Sequence, residues 1–421
     1  MVADKVEPAP VAADAHRASF FRQSGWLMIA NIAGGVLMWA VHFLAHVTGP
    51  NEYGIFVALL GVLICVPNMP LQMVLAQQTA KGLATGHKRE LSGLIRLLWL
   101  GTFLLWLAVA VAAGLFEAKI VSHWKIANPA AVWITLLGLL LSLWLPMFSG
   151  MLQGQQNFLW LGWTAMINGI GRVAVAALAV LVLGTYAAGM LFGVSMGLVI
   201  AVGLAIWQTR ALWLPRPLPF DWRNVLRQII PLMLGFGAFQ FLFTADTMFA
   251  KTYFDSDTVG FYGSAGTLSR ALMWLVGPLA AVMFPKIVHS HSKAEKTDLM
   301  GLVLIGTGLL AVAGAVGLSV LGRWVVRFMS GGAYVQVASS VLPWYASAMV
   351  PLALANVLLN NLMARSRFGV VPALCILALA YGWALTRFHD SLVMVLQTMG
   401  VFNLLLLGIC AWFTWGSGGK A

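Results

Sequence analysis

Runs of apolar residues recur from one end of the chain to the other, each followed by a short polar break. A hydrocarbon layer of about 30 Å needs about 20 apolar residues in a helix. Twelve segments meet that length, at about 24–47, 53–77, 93–115, 130–152, 158–182, 187–209, 229–252, 258–285, 299–321, 337–362, 368–386 and 392–415. Lipid offers no partner for backbone N–H and C=O groups, so each segment is predicted to be an α-helix that satisfies its own. The fold class that follows is an all-α polytopic membrane protein with twelve transmembrane helices.

Composition sharpens this picture. Of the 421 residues, 61% are hydrophobic and only 9% charged, and the mean hydropathy is +0.88. A soluble domain of that length needs more Lys, Arg, Asp and Glu on its surface. The net charge of +12 is not read as a nucleic-acid footprint. In a membrane protein, excess Lys and Arg mark cytoplasmic loops. With the N-terminus inside, 17 of the 25 basic residues fall in inner segments and 6 in outer ones. The remaining two, Arg172 and Arg270, lie inside spans. Both termini are therefore expected in the cytoplasm. Residues 1–20 read as a cytoplasmic disordered tail, opening "MVADKVEPAPVAAD" with no apolar core of a signal peptide.

The halves of the chain echo each other. Arg22-Gln23 precedes the first span as Arg227-Gln228 precedes the seventh, and "EYGIF" (52–56) parallels "TVGFY" (258–262). "ELSGLI" (90–95) parallels "DLMGLV" (298–303), and "MLQGQQNF" (151–158) parallels "LMARSRF" (362–368). A near-constant offset implies a parallel six-plus-six repeat, two lobes around a central cavity that opens alternately to each side. The expected boundaries are an N-lobe at 21–209, a basic cytoplasmic linker at 210–227 broken by Pro215, Pro217 and Pro219, and a C-lobe at 228–421.

Charge at membrane depth is the strongest functional signal, since it costs at least about 2.5–3.5 kcal/mol per Arg. Arg172 lies about 14 residues into the fifth span and Arg270 about 13 into the eighth, near the midplane in each lobe. Thr164, Asn168 and Arg172 are spaced on one helix face, as are Gly263, Thr267 and Arg270. Those faces should look toward protein or a cavity; capping a neighbouring helix is the structural alternative. Asp246 is the acid well inside the seventh span. Its depth, about 9 Å from the helix end against about 20 Å for Arg270, argues against a simple pair, although the reach of an Arg side chain keeps one open. A proton or Na⁺ coupling site and a helix-to-helix tie are the other two readings of Asp246. Asn31, Gln240, Thr244, Asn356 and Asn360 form weaker polar stripes, either helix-bonding or cavity-lining. His42, with Asn31 in the first span, reads as structural. The three cysteines read as small core hydrophobes, without disulfide or metal spacing. Tryptophans such as Trp124, Trp222 and Trp324 fit interfacial belts. Pro278, in the helix of Arg270, is the candidate hinge. No Walker loop, G-x-S-x-G or H-E-x-x-H motif is present, and no enzyme is indicated.

The stretch "DTMFAKTYFDSDTVGFYGSAGTLSRALMWLVGPLAAVMFPKI" (246–287) resembles the seventh and eighth helices of polysaccharide transporters in the multidrug/oligosaccharidyl-lipid/polysaccharide (MOP) exporter superfamily. The matching positions are Asp246, Val259-Gly260-Phe261-Tyr262, Ala265, Pro278 and Phe284-Pro285, and "GPNEYGIF" (49–56) and "GMLQGQQNF" (150–158) resemble two further family turns. The resemblance implies a flippase for undecaprenyl-pyrophosphate-linked oligosaccharides in the bacterial inner membrane, a monomer acting beside other polysaccharide-assembly proteins. It further implies that Arg270 and Arg172, with Asn168 and Thr267, hold the pyrophosphate or acidic sugars while the polyprenyl tail stays in membrane lipid. No cofactor is implied beyond Na⁺ or H⁺ as a coupling ion. The first span lacks the carboxylate frequent in drug exporters, which weighs against the alternative, a cation-coupled multidrug antiporter on the same fold. Lipid II flippases often carry two further helices, so twelve spans fit the repeat-unit branch better. A membrane-embedded glycosyl polymerase is disfavoured by the short outer segments, 116–129 and 322–336.

Overall fold

The computed structural model describes residues 26–219, 222–273 and 299–416. The expected tail 1–20, the hinge Pro278 and the second part of the 258–285 span lie outside the described residues.

Every regular element among the described residues is helical. The first part of the chain forms α1 (26–40), α2 (Ala45–Ile64), α3 (Met69–Ala84), α4 (Lys88–Leu115) and the short α5 (Glu117–His123). It continues as α6 (Ala130–Gly154), α7 (Phe158–Leu181), α8 (Tyr186–Gln208) and the single turn α9 (Arg210–Trp213). The second part forms α10 (Trp222–Tyr253), α11 (256–273), α12 (Leu299–Ser330), α13 (Val335–Ala364), α14 (Val371–Leu385) and α15 (Leu392–Ala411). Ten helical stretches are long and apolar enough to cross a membrane. One of them, Trp26–Ala84, runs 59 residues and holds two of the expected spans, while the helix at 256–273 is described only in part. The described residues therefore give ten candidate spans and do not by themselves establish twelve.

The breaks follow from local chemistry. At Gly49 the backbone turns to φ 77°, ψ 168°, a conformation costly for residues with a Cβ, and Pro50 starts the next helix with no N–H to lose. The second span is itself interrupted. α2 ends at Ile64, residues 65–68 are not helical, and Pro70 sits in the first turn of α3. The interruption falls about 22 Å from Gly49, well inside a bilayer. Irregular backbone at that depth is tolerated where it lies against protein or a cavity.

The loops at Gly49 and residues 254–255 mark one end of the bundle, called here the Gly49 end; Pro215 marks the other. At the Pro215 end, the segment after α8 is pinned to α4. Ser92 Oγ donates to the carbonyls of Trp213 and Pro215 at 3.1 and 2.8 Å, and Arg96 Nε donates to Trp213 O at 3.0 Å. Leu218 N donates to Arg89 O at 3.1 Å.

The two halves of the chain meet where α2 crosses α10 and α11. The meeting depends on missing side chains: a Cβ on Gly260 would lie 2.0 Å from Pro50 O, and one on Gly54 would lie 2.5 Å from Ser256 O. Around this crossing, Tyr334 donates its hydroxyl to Ala45 O at 3.2 Å, and His46 Nε2 donates to Phe328 O at 3.0 Å. The halves are thus closed against each other at the Gly49 end.

Candidate functional site

Arg270 and Asp246 pair. The Arg270 Nη2–Asp246 Oδ1 distance is 2.8 Å, with Asp246 fully buried and Arg270 nearly so. The difference in depth along their helices, which argued against a simple pair, is bridged by side-chain direction. A helical side chain leans toward the N-terminus of its own helix. α10 and α11 run antiparallel through the short turn at 254–255, so Arg270 leans toward the Gly49 end and Asp246 leans away from it. Each covers part of the gap.

The pair is embedded in a polar cluster drawn from three helices. Arg270 Nη2 also donates to Thr247 Oγ1 at 2.7 Å, and Arg270 Nε donates to Phe243 O at 3.1 Å. Asp246 Oδ2 accepts from Tyr262 at 2.8 Å, from Tyr345 and, at 3.4 Å, from Thr247. The guanidinium lies 5.6 Å from the Phe243 ring centroid and 5.5 Å from that of Tyr345, within cation–π range. Both carboxylate oxygens are satisfied and the charge is balanced, which is what a buried carboxylate requires. In this conformation Asp246 is a structural centre of α10, α11 and α13.

A second chain of hydrogen bonds crosses between the halves. Thr267 gives its hydroxyl proton to Gly263 O at 2.9 Å. The contact of 3.3 Å between Tyr53 and Thr267 therefore has Tyr53 as donor. The Tyr53 oxygen then accepts from His42 Nδ1–H at 2.8 Å. His42 is buried beside Tyr53 and Phe56, in a 3-10 turn (Val41–Leu44) of the first span. Thr267, expected beside a substrate, is thus part of the interface between the halves. So is Thr244: its hydroxyl donates to Gln240 O at 2.9 Å and accepts from Cys65 Sγ at 2.8 Å.

The first-half stripe is placed differently. α7 packs tightly on α8 because Gly197 leaves room for it; a Cβ there would lie 2.4 Å from Asn168 O and 2.8 Å from Arg172 N. Thr164 is buried and bonds Leu161 O in its own helix at 2.7 Å. Asn168 is buried, its Nδ2 3.4 Å from Met38 Sδ. Arg172 is half-buried, and its Nε, shielded from solvent, has no hydrogen-bond partner among the described residues. Of the weaker stripes, Asn360 bonds back to Asn356 at 2.8 and 3.0 Å, and Asn31 is exposed.

Sequence reasoning missed Tyr345, Thr247 and the role of Tyr53. A signal was there: the chain has only 7 tyrosines, and Tyr53, Tyr262, Tyr334, Tyr345 and Tyr381 are fully buried rather than at an interfacial belt. A buried tyrosine usually finds a partner for its hydroxyl, and all of these except Tyr381 have one among the described residues. Asn68, exposed in the break between α2 and α3, was also missed.

A sequence profile of the family described as "Polysaccharide biosynthesis protein" matches residues 20–291, a range that includes both arginines. No curated protein matches the chain. Among solved structures, "Lipid II flippase MurJ, inward closed conformation" aligns with a TM-score of 0.69 at 15% identity, over 94% of this chain and 88% of that one. An inward-facing multidrug resistance MATE family transporter of the MOP superfamily aligns at 0.62 and 13% identity, over 93% of each chain. The outward-facing conformation of a multidrug resistance MATE family transporter of the same superfamily aligns at 0.55 and 11%, over 94% and 92%. At these identities the likeness is one of fold, and the fold is that of MOP-superfamily transporters.

Proposed function

This chain belongs to the polysaccharide biosynthesis protein family, and from that premise we propose that it carries a polyprenyl-pyrophosphate-linked oligosaccharide across a bacterial cytoplasmic membrane. The reading is transport by alternating access, without covalent chemistry. The observation that carries it is Arg172: a cation at membrane depth, half-buried, with an Nε that no described protein group accepts. A charge held there without a counter-charge is stable only if water or an anion reaches it. The guanidinium fork suits the two oxygens of a phosphate. Asn168, buried one turn away on the same face, is the polar neighbour that would help hold sugar or phosphate oxygens once the site opens. Arg270 contributes positive potential while its own fork is held by Asp246.

In this reading the Pro215 end is cytoplasmic, as the excess of basic residues favours, and the closed Gly49 end faces outward. Opening to that side requires the Tyr53–Thr267, His46–Phe328 and Tyr334–Ala45 contacts to separate while the Arg270 cluster moves as one body. Coupling to Na⁺ or H⁺ is not a step of the proposal, because Asp246 is satisfied by Arg270, Tyr262 and Tyr345. The same fact removes Asp246 as a free coupling carboxylate, which weighs against the antiporter reading.

The test is native mass spectrometry of the protein gently solubilised from its own host. A co-purified polyprenyl-pyrophosphate glycan, lost in Arg172→Ala and partly kept in Arg172→Lys, is expected. A wild-type protein that carries no such glycan while Arg172→Ala transports normally would sink the reading.

A further inference from the structure

A cavity of about 850 Å³ lies between α2, α4, α5 and α6, near the Gly49 end. It shares no residue with the arginine sites. Leu59, Val62, Val109, Leu136 and Leu139 form its apolar depth. Val132 to Leu139 marks a depth of about 10 Å along α6. Leu59 and Val62 lie about 140° around α2 from Gly54, Val57 and Gly61, the positions that meet α10 and α11. A solute passing between the halves therefore does not reach this cavity.

Its mouth is polar and positive. Lys119, Ser122 and His123 line it from α5, and the Lys119 Nζ stands 5.5 Å from the Phe116 ring centroid, at the cavity wall. The acid of α5, Glu117, is not among the lining residues; its Oε1 accepts from Trp133 Nε1 at 3.1 Å, tying α5 to α6. Trp124 completes the mouth, a residue suited to the boundary between headgroups and acyl chains. An apolar slot inside the membrane, with a cationic lip where headgroups lie, matches an anionic amphiphile in both charge and polarity.

We propose that this cavity binds one acyl chain of an anionic glycerophospholipid, with the phosphate held at Lys119, Ser122 and His123. The occupant is a bilayer lipid and not the transported glycolipid, because the cavity turns away from the crossing between the halves and is short along the helix axis. The proposal stands whether or not the chain is a flippase.

Full-length protein in detergent, offered phosphatidylglycerol or phosphatidylcholine in equal amounts, tests it by native mass spectrometry. One phosphatidylglycerol should be retained preferentially. Lys119→Gln should lower its occupancy about fivefold, the effect of one lysine at an anionic headgroup, and leave phosphatidylcholine unchanged. Ala113→Trp, a substitution at a half-buried wall position, should exclude both lipids; if that variant fails to fold, Lys119→Gln decides alone. Arg172→Ala should leave the lipid bound. Equal retention of the two lipids, or no effect of Lys119→Gln, overturns the proposal. Loss of the lipid in Arg172→Ala overturns it too, by moving the lipid to the space between the halves.

Discussion

Arg270 gives Nη2 to Asp246 and Thr247 and Nε to a backbone carbonyl, with two aromatic rings beside it. Arg172, at comparable depth in the other half, leaves its Nε without a partner among the described residues. In sequence the two looked alike: each is a lone cation in an apolar helix, with a threonine on its own face. The difference lies in the neighbours. Antiparallel α10 brings Asp246 to Arg270, whereas α7 packs on α8 through glycine and presents no acid to Arg172. A buried cation with its counter-ion holds a fold in one arrangement; one without it is available to a ligand. Under the proposed function, the contrast divides labour between the halves, with rigidity around Arg270 and reception at Arg172.

The largest expected effect comes from breaking the paired side. Asp246→Ala leaves Arg270 buried without its counter-charge and should lower stability by about 3–5 kcal/mol. The double change Asp246→Leu with Arg270→Met removes both charges and should recover most of that loss. Thermal unfolding in detergent measures both; a double variant as unstable as the single one would mean that the tyrosine cluster, not the charge pair, matters.

A smaller effect is expected at the start of the helix that carries Arg270. Asp255 accepts from Thr258 N at 2.9 Å and Thr258 Oγ1 at 2.7 Å, capping that helix. Those two bonds hold its carboxyl below the usual carboxylate range. The folded value is the lower one, so its contribution is complete at neutral pH and disappears as pH falls through the folded value, below about 4. Asp255→Ala should cost about 1 kcal/mol or less, since the site is exposed, and should flatten the acid limb of the stability profile. An unchanged acid limb would rule out the cap as its source.

The smallest effect on stability is expected at Arg172. Arg172→Ala removes an uncompensated cation and should leave the unfolding temperature unchanged or slightly raised, while glycan binding is lost. If it destabilises as strongly as Asp246→Ala, Arg172 is a structural residue and the contrast between the halves collapses.

Much of this was legible because lipid is an unforgiving solvent. Apolar length alone marked the helices, and the rarity of charge at depth singled out Arg172, Arg270 and Asp246. The family turn around Gly49 was readable as well, since it depends on local glycine and proline chemistry. Other features escaped. The break at 65–68 was hidden inside a hydrophobic run, because Pro67 and Pro70 are also tolerated in continuous membrane helices. Tyr345 and Tyr53 gave no periodic signal, and their partners lie 99 and 214 residues away.

The sequence by itself determined that this chain is a bundle of membrane helices with two arginines and one aspartate at depth, because hydropathy and charge act residue by residue. Only the tertiary structure decided which arginine is neutralised. That choice rests on the direction in which antiparallel side chains lean and on glycines that let particular helices touch, and both are properties of helix pairs.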